Sequence, residues 1–201
     1  MAKTRILGSG HHLHLKQEDL EALFGPGAKL TVKRYLDEKF PEGGFLSEQH
    51  VTVVGPRGQF EASVLGDIRP YTQVEISLTD ARILGVKPTM SDSGKLKGTS
   101  PCKLIGPAGV LELDEGLMIV RRHVHMGKED LEELGCKIGD MVRVRIPGPR
   151  ALVFEQVIVA KQFEGMASLM HIDYDEMNAA ALENKDQVYG EISFFHDREE
   201  T

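Results

Sequence analysis

His12 and His14 stand two residues apart in "GSGHHLHLKQEDLEALFG" (Gly8–Gly25), and His123 and His125 repeat that spacing in "RHVHM". On a β-strand residues i and i+2 face the same side, so each H-x-H can aim two imidazoles at one point. Neutral imidazole is the commonest metal-ligating side chain, and two on one strand face make half of a tetrahedral or trigonal-bipyramidal site. One H-x-H alone is weak evidence, because alternating polar residues on a solvated strand produce it by chance. For a single copy the surface reading is the stronger one. A tag remnant would carry a longer histidine run and would not recur inside the chain. Recurrence within a duplicated segment shifts the balance to metal, with packing of the retained histidines as the competing explanation.

The duplication is read directly. "HLHLKQEDLEAL" (His12–Leu23) aligns with "HVHMGKEDLEEL" (His123–Leu134) 111 positions later, and seven of the twelve residues are identical. So long a period does not describe a solenoid, and two similar domains are the simpler reading. In each copy an extended H-x-H run leads into a helix whose first turn is acidic. Glycine closes it, Gly25 or Gly27 in the first copy and Gly135 or Gly139 in the second.

Further elements complete the frame. "MVRVRI" (Met141–Ile146) alternates as a half-buried strand should, "PGPR" (Pro147–Arg150) turns, and "ALVFEQVIVA" follows as a second strand. In the first half "HVTVV" (His50–Val54), the turn "GPRG" and "QFEASVL" form a hairpin-like unit. "QVEISL" (Gln73–Leu78) reads as a strand before the helix "TDARILG", and "SLMHID" (Ser168–Asp173) as a strand before "YDEMNAAAL". There Asp173 and Glu176 have the D-x-x-E form of a helix start. Glu75 and His171 thus each end a strand just before a helix. They are the best candidates to complete the two histidine pairs, giving six ligands for two metals with positions left open for substrate.

Other polar residues carry less. Arg69, six residues before Glu75, could clamp a tetrahedral oxyanion bidentately, although a solvent salt bridge is the commoner role for such a residue. "SGKLKGTS" (Ser93–Ser100) could hold phosphates through backbone N–H groups, Lys95 and Lys97, or be a solvated linker. It is not a Walker motif. His11 points away from His12 and His14 on strand parity, and His50 and His196 read as ordinary polar residues.

Composition bounds the rest. The 201 residues are 41% hydrophobic and 27% charged, ordinary for a globular protein. A net charge of −7 and only 6% aromatics, with no Trp, argue against nucleic acid as a partner. Cys102 and Cys136 form no C-x-x-C pair, and no apolar stretch is long enough for a signal peptide or a membrane span. The expected location is the cytoplasm. The expected fold is mainly β with short helices: two similar small, mostly antiparallel β-barrel domains related by internal duplication. "YLDEKFPEGGF" (Tyr35–Phe45) and "PTMSDSGKLKGTSP" (Pro88–Pro101) read as loops. The second marks the expected boundary between a domain of residues 1–95, with the first H-x-H and Glu75, and one of residues 96–201, with the second H-x-H and His171.

"RHVHM", "TQVEIS", "GKLKGT" and "LMHIDYDEMNAA", in this order and over nearly the whole chain, resemble the PduL-type phosphate acyltransferases, the phosphate propanoyltransferase family. The resemblance implies a pair of β-barrel domains and a dinuclear zinc site. It implies interconversion of acyl-CoA plus phosphate with acyl phosphate plus CoA. The family's metal ligands fall on His12, His14, Glu75, His123, His125 and His171, and Arg69 falls on an arginine associated with phosphate. Lys95 and Lys97 become candidate contacts for coenzyme A. Propanediol or acetate metabolism is the implied context, with the oligomeric state left open. Two departures stand out. His11 replaces the arginine that normally precedes the first histidine, whereas Arg122 keeps it in the second copy. Only eleven residues precede His12, short for the targeting segment of members housed in bacterial microcompartments, which favours the free cytoplasm or encapsulation by another route. Two rival readings remain, a dinuclear zinc hydrolase and a non-catalytic metal-binding β-barrel module.

Overall fold

A computed structural model describes residues 2–36, 44–164, 167–183 and 188–194. Most of the expected Tyr35–Phe45 loop, and His196, lie outside these residues. The first elements are β1 (Lys3–Ser9), β2 (His12–His14), α1 (Gln17–Phe24), β3 (Val32–Tyr35), β4 (Phe45–Val54) and β5 (Gln59–Gly66). Then come β6 (Gln73–Glu75), α2 (Leu78–Leu84), β7 (Thr89–Ser91), β8 (Ser100–Ile105) and β9 (Val110–Val120). The remainder is β10 (His123–Gly127), α3 (Lys128–Leu134), β11 (Met141–Ile146), β12 (Leu152–Phe163), β13 (Ser168–Asp173), α4 (Tyr174–Ala180) and β14 (Tyr189–Ser193).

The chain divides into two compact units, Gly10–Val120 and Met1–Ser9 with Arg121–Thr201. The expected division at residue 95 is therefore corrected at both ends. Residues 96–120 stay with the first unit because β8 pairs with β4 and β9 pairs with β6. Residues 3–9 leave it because β1 pairs with β13 and β14. Within the expected loop Pro88–Pro101, Thr89–Ser91 form β7 against β9, and Ser100 opens β8.

Each unit closes a six-stranded barrel. In the first the ring runs β4-β5-β2-β6-β9-β8 and back to β4, with β3 and β7 appended. In the second it runs β1-β13-β10-β12-β11-β14. The two rings match strand for strand, including two parallel junctions each: β2/β5 and β6/β9 in the first, β10/β12 and β1/β13 in the second. In this correspondence β1 is the counterpart of β9. The strand leading into each H-x-H thus belongs to the barrel that does not contain that H-x-H.

Alternation explains the cores. Val142, Val144 and Ile146 are buried while Met141, Arg143 and Arg145 are exposed. They join Val124, Met126, Val157, Val159, Met170 and Ile192 in one core, while Leu13, Leu20, Val53, Val64, Val74 and Leu117 anchor the other. Both copies of the "EDL" helix bury the equivalent leucine, Leu20 or Leu131. Two hairpin turns, "GPRG" and "GPAG", cover helix ends. Arg57 N–H donates to Leu84 O and Ala108 N–H to Leu23 O, both at 2.9 Å, satisfying carbonyls left over at the ends of α2 and α1. A Cβ at Gly55 would lie 2.5 Å from Leu84 O, and one at Gly106 2.4 Å from Leu23 O, so only glycine lets these backbones meet.

The "QVEISL" strand ends earlier than its pattern predicts. Ser77 accepts from Asp80 N–H, and Asp80 accepts from Ser77 N–H, forming a capping box that starts α2 at Leu78. Asp173 and Glu176 form the expected equivalent box at α4. Among the described residues no helix is long and apolar enough to cross a membrane.

Candidate metal centres

Each barrel gathers one three-donor cluster: His12, His14 and Glu75 in the first unit, His123, His125 and His171 in the second. Within each cluster the donor atoms lie within 4.8 Å of one another. In the first, β2 runs antiparallel to β6 with His12 opposite Glu75 and His14 opposite Gln73. His12 Nε2 is 3.5 Å from Glu75 Oε2 and His14 Nε2 is 3.7 Å from Glu75 Oε1. In the second, His123 sits opposite His171 across β10 and β13, and their rings stack with centroids 5.0 Å apart. The His125 ring lies 5.1 Å from His123 and 4.8 Å from His171.

The donor sets fit a divalent cation. His12 Nδ1 meets Gly10 O at 2.8 Å, His14 Nδ1 meets Leu65 O at 3.2 Å, and His123 Nδ1 meets Arg121 O at 2.9 Å. A carbonyl oxygen only accepts, so in each case Nδ1 carries the proton and Nε2 presents its lone pair. Burial, helped by the charge of His12, lowers the pKa of His14 to about 3, so its lone pair is available at neutral pH. Burial alone would raise Glu75, but His12, His14 and Arg69 outweigh it and hold the carboxyl well below the usual range. Burial would also lower His12, and the adjoining Glu75 carboxylate reverses that to a net rise. Glu75 is thus held as a carboxylate, the one negative charge among the three donors, and its pull favours the charged form of His12.

The same two segments are laced together at both ends of each cluster. Beyond the second histidine, the Thr72 hydroxyl donates to Asp19 Oδ2 at 2.6 Å and accepts from Lys16 N–H at 3.2 Å. In the other barrel the Ser168 hydroxyl donates to Asp130 and accepts from Gly127 N–H at 3.1 Å. These ties account for the aspartate kept in both copies of "EDL". Asp19 is buried, so Thr72→Val should leave its carboxylate short of a donor and lower stability by about 1–3 kcal/mol, read from a denaturant midpoint. Ser168→Ala should do the same in the second unit, and unchanged midpoints would refute the tie.

Before the first histidine, His11 Nδ1 is 3.0 Å from Asp80 Oδ1, and its ring stacks on Phe60 at 4.3 Å. Arg122 repeats the arrangement: Nε meets Glu176 Oε1 at 2.7 Å and the guanidinium lies 4.9 Å over the Phe154 ring. Asp80 and Glu176 are the equivalent residues of the two capping boxes. His11, read from sequence as pointing away, thus occupies the arginine's place with the same kinds of partner.

Arg69 is half-buried. Its Nη1 donates to Ser93 Oγ at 3.3 Å, its guanidinium is 6.0 Å from the Tyr71 ring centroid, and its charge acts on His12, His14 and Glu75. Lys95 and Lys97 are exposed on the following loop, and Lys95 Nζ pairs with Asp92 Oδ2 at 2.6 Å. The sequence gives no spacing signal for Thr72, Ser168, Gln73 or Ser93. Asp19 and Asp130 were visible only as identities within the repeat.

A pair of small β-barrels, each presenting a three-donor cluster from its H-x-H strand and the antiparallel neighbour, defines the class of protein. The chain belongs to the phosphate propanoyltransferase family, whose profile it matches over residues 5–183. It is similar to the phosphate propanoyltransferase of Thermotoga maritima, 45% identical over 183 residues that cover 90% of this chain and 85% of the relative. Those of Rhodobacter capsulatus (42% identical, 88% and 80% covered) and Enterococcus faecalis (40%, 88% and 82%) are comparably similar. The chain is an acyltransferase.

Proposed function

We propose that the protein is a metal-dependent phosphate acyltransferase, interconverting acetyl- or propanoyl-CoA plus phosphate with the acyl phosphate plus CoA. The observation that carries this reading is a His/His/Glu donor set, its two histidines buried, with a guanidinium acting on it, in a chain of this family. His12, His14 and Glu75 would hold one divalent ion and His123, His125 and His171 another, zinc being the choice that family resemblance favours. A bound divalent ion supplies Lewis acidity for a thioester carbonyl and for a departing thiolate.

Arg69 holds phosphate and orients one oxygen toward the thioester carbon. The C–O bond forms, the C–S bond breaks, and CoA leaves as a thiolate that takes a proton from solvent. Lys95 and Lys97 take the phosphates of CoA, Lys95 exchanging the Asp92 carboxylate for them. Direct attack is favoured over an acyl-enzyme because neither cysteine is a ready nucleophile. Burial pushes the Cys102 thiol up to about 12 and also raises Cys136. The enzyme works in the cytoplasm on this reading.

The test is thioester formation from acetyl or propanoyl phosphate plus CoA, before and after chelation and with zinc restored. Activity should vanish with the metal and return with zinc. A folded, zinc-loaded protein that forms no thioester would overturn the proposal.

A further inference from the structure

Gln73 lies between the first cluster and the glycine-rich loop, and it is fully buried. Its Nε2 donates to Glu75 Oε1 at 2.7 Å and to Ser93 Oγ at 3.0 Å, while its Oε1 accepts from Gly94 N–H at 2.7 Å. The amide orientation follows from the partners, since a carboxylate only accepts and a backbone N–H only donates. One side chain therefore grips both a candidate ligand and the loop that carries Lys95 and Lys97. Arg69 joins the same node through Ser93. At Gly94, φ is +86°, and the Tyr71 hydroxyl lies 3.0 Å from where a Cβ would stand, so the loop is seated closely at this point.

The second barrel differs at the equivalent position. The position opposite His14 is Gln73, but the one opposite His125 is Leu169, which has no hydrogen-bonding group. The two rings share topology, H-x-H and hydroxyl–aspartate ties, but at this position the second carries a leucine side chain that cannot make the three bonds of Gln73.

We propose that Gln73 is a positioning residue that couples the ion site at His12, His14 and Glu75 to the coenzyme-binding loop at residues 91–98. This rests on the acyltransferase reading above for the identity of what the loop holds. Gln73 restrains Oε1 and so sets which face of the carboxylate Glu75 turns toward the histidines. By the same bonds, settling of Glu75 on a cation steadies Ser93 and Gly94, and with them the segment bearing both lysines. Hydrogen-bonding partners of metal ligands typically change metal affinity ~10- to 100-fold when removed.

The experiment uses Gln73→Met, which keeps length and burial but removes all three hydrogen bonds, with Gln73→Leu as a second variant should Met fold poorly. Zinc affinity is measured by titration in a His123→Ala background, where the first cluster is read by itself. Trypsin cleavage after Lys95 and Lys97 is followed in the full chain with and without zinc. The expected result is roughly tenfold weaker zinc binding, and zinc protection of the two lysine sites that is present in the unaltered chain and lost in the variant. KM for CoA should rise several-fold with a smaller change in kcat. Unchanged zinc affinity, equal zinc protection in variant and parent, or a lowered melting temperature as the sole effect would each overturn the proposal. If the parent binds zinc and shows protection but transfers no acyl group, the coupling stands and the acyltransferase reading fails. If the parent binds no zinc, both fall.

Discussion

Glu75→Gln should abolish phosphate-dependent acyl transfer, lowering the initial rate on the order of a hundredfold or more, since residues that merely orient a ligand already contribute ~10- to 100-fold. Glu75 is the one anionic donor in either cluster, and both histidine Nε2 atoms of its unit approach it within 3.7 Å. The amide keeps the shape and can still accept from Gln73, so the barrel should survive. What disappears is the charge that raises His12 and gives the pocket its attraction for a cation. Metal content measured alongside the rate, with circular dichroism as the check on folding, decides the matter. Wild-type activity at wild-type metal content in this variant would remove the first cluster from the reaction.

Removing residues 1–9 should unfold the second unit while leaving the first barrel closed. β1 pairs with β13 from Thr4 to Ser9 and with β14 from Lys3 to Arg5, and it buries Ile6 and Thr4. Without it, β13 and β14 both become open edges, and the core of Val144, Met170 and Ile192 loses one wall. Because β13 also carries His171, the second cluster should lose its geometry with the barrel. Limited proteolysis should then cut within residues 121–194 while residues 10–120 stay protected, and an added peptide of residues 1–9 should restore some protection. Uniform resistance across both units would contradict the pairing.

The parts of this architecture that rest on local chemistry were legible in the sequence. The bounds of β11 follow from alternation, those of β13 from the helix start behind it, and the Asp173–Glu176 box from its spacing. Convergence of His12 and His14 follows from strand parity, and each third donor, Glu75 or His171, from its place near a strand end before a helix. What stayed hidden depends on pairing between distant segments. Nothing local in residues 3–9 says that their strand partners lie 164 to 188 residues away, as in Thr4 with Ser168 and Lys3 with Glu191. The loop around residue 95 has the composition of a linker, yet Thr89–Ser91 find a parallel partner in β9. Gln73 and Ser93 carry no periodic signal, because their meaning lies in a buried network that only the folded loop creates. Nearness to Glu75 singles out Arg69 in the sequence, and the structure adds Ser93 and Tyr71 as its partners.

The crossed placement of β1 and β9 also bears on ancestry. A chain of half this length, built as one repeat, would own a leading strand that its own barrel cannot use. It would close two barrels by pairing with an identical copy and trading leading strands, the arrangement of a strand-swapped two-fold dimer. Fusing two such copies end to end turns that trade into an intramolecular event, at an effective concentration no pair of free halves could match. Fusion also ends the requirement that both halves stay alike. One could keep three histidines while the other took up Glu75, Gln73 and the lysine-bearing loop, a division of labour closed to a homodimer encoded by a single repeat.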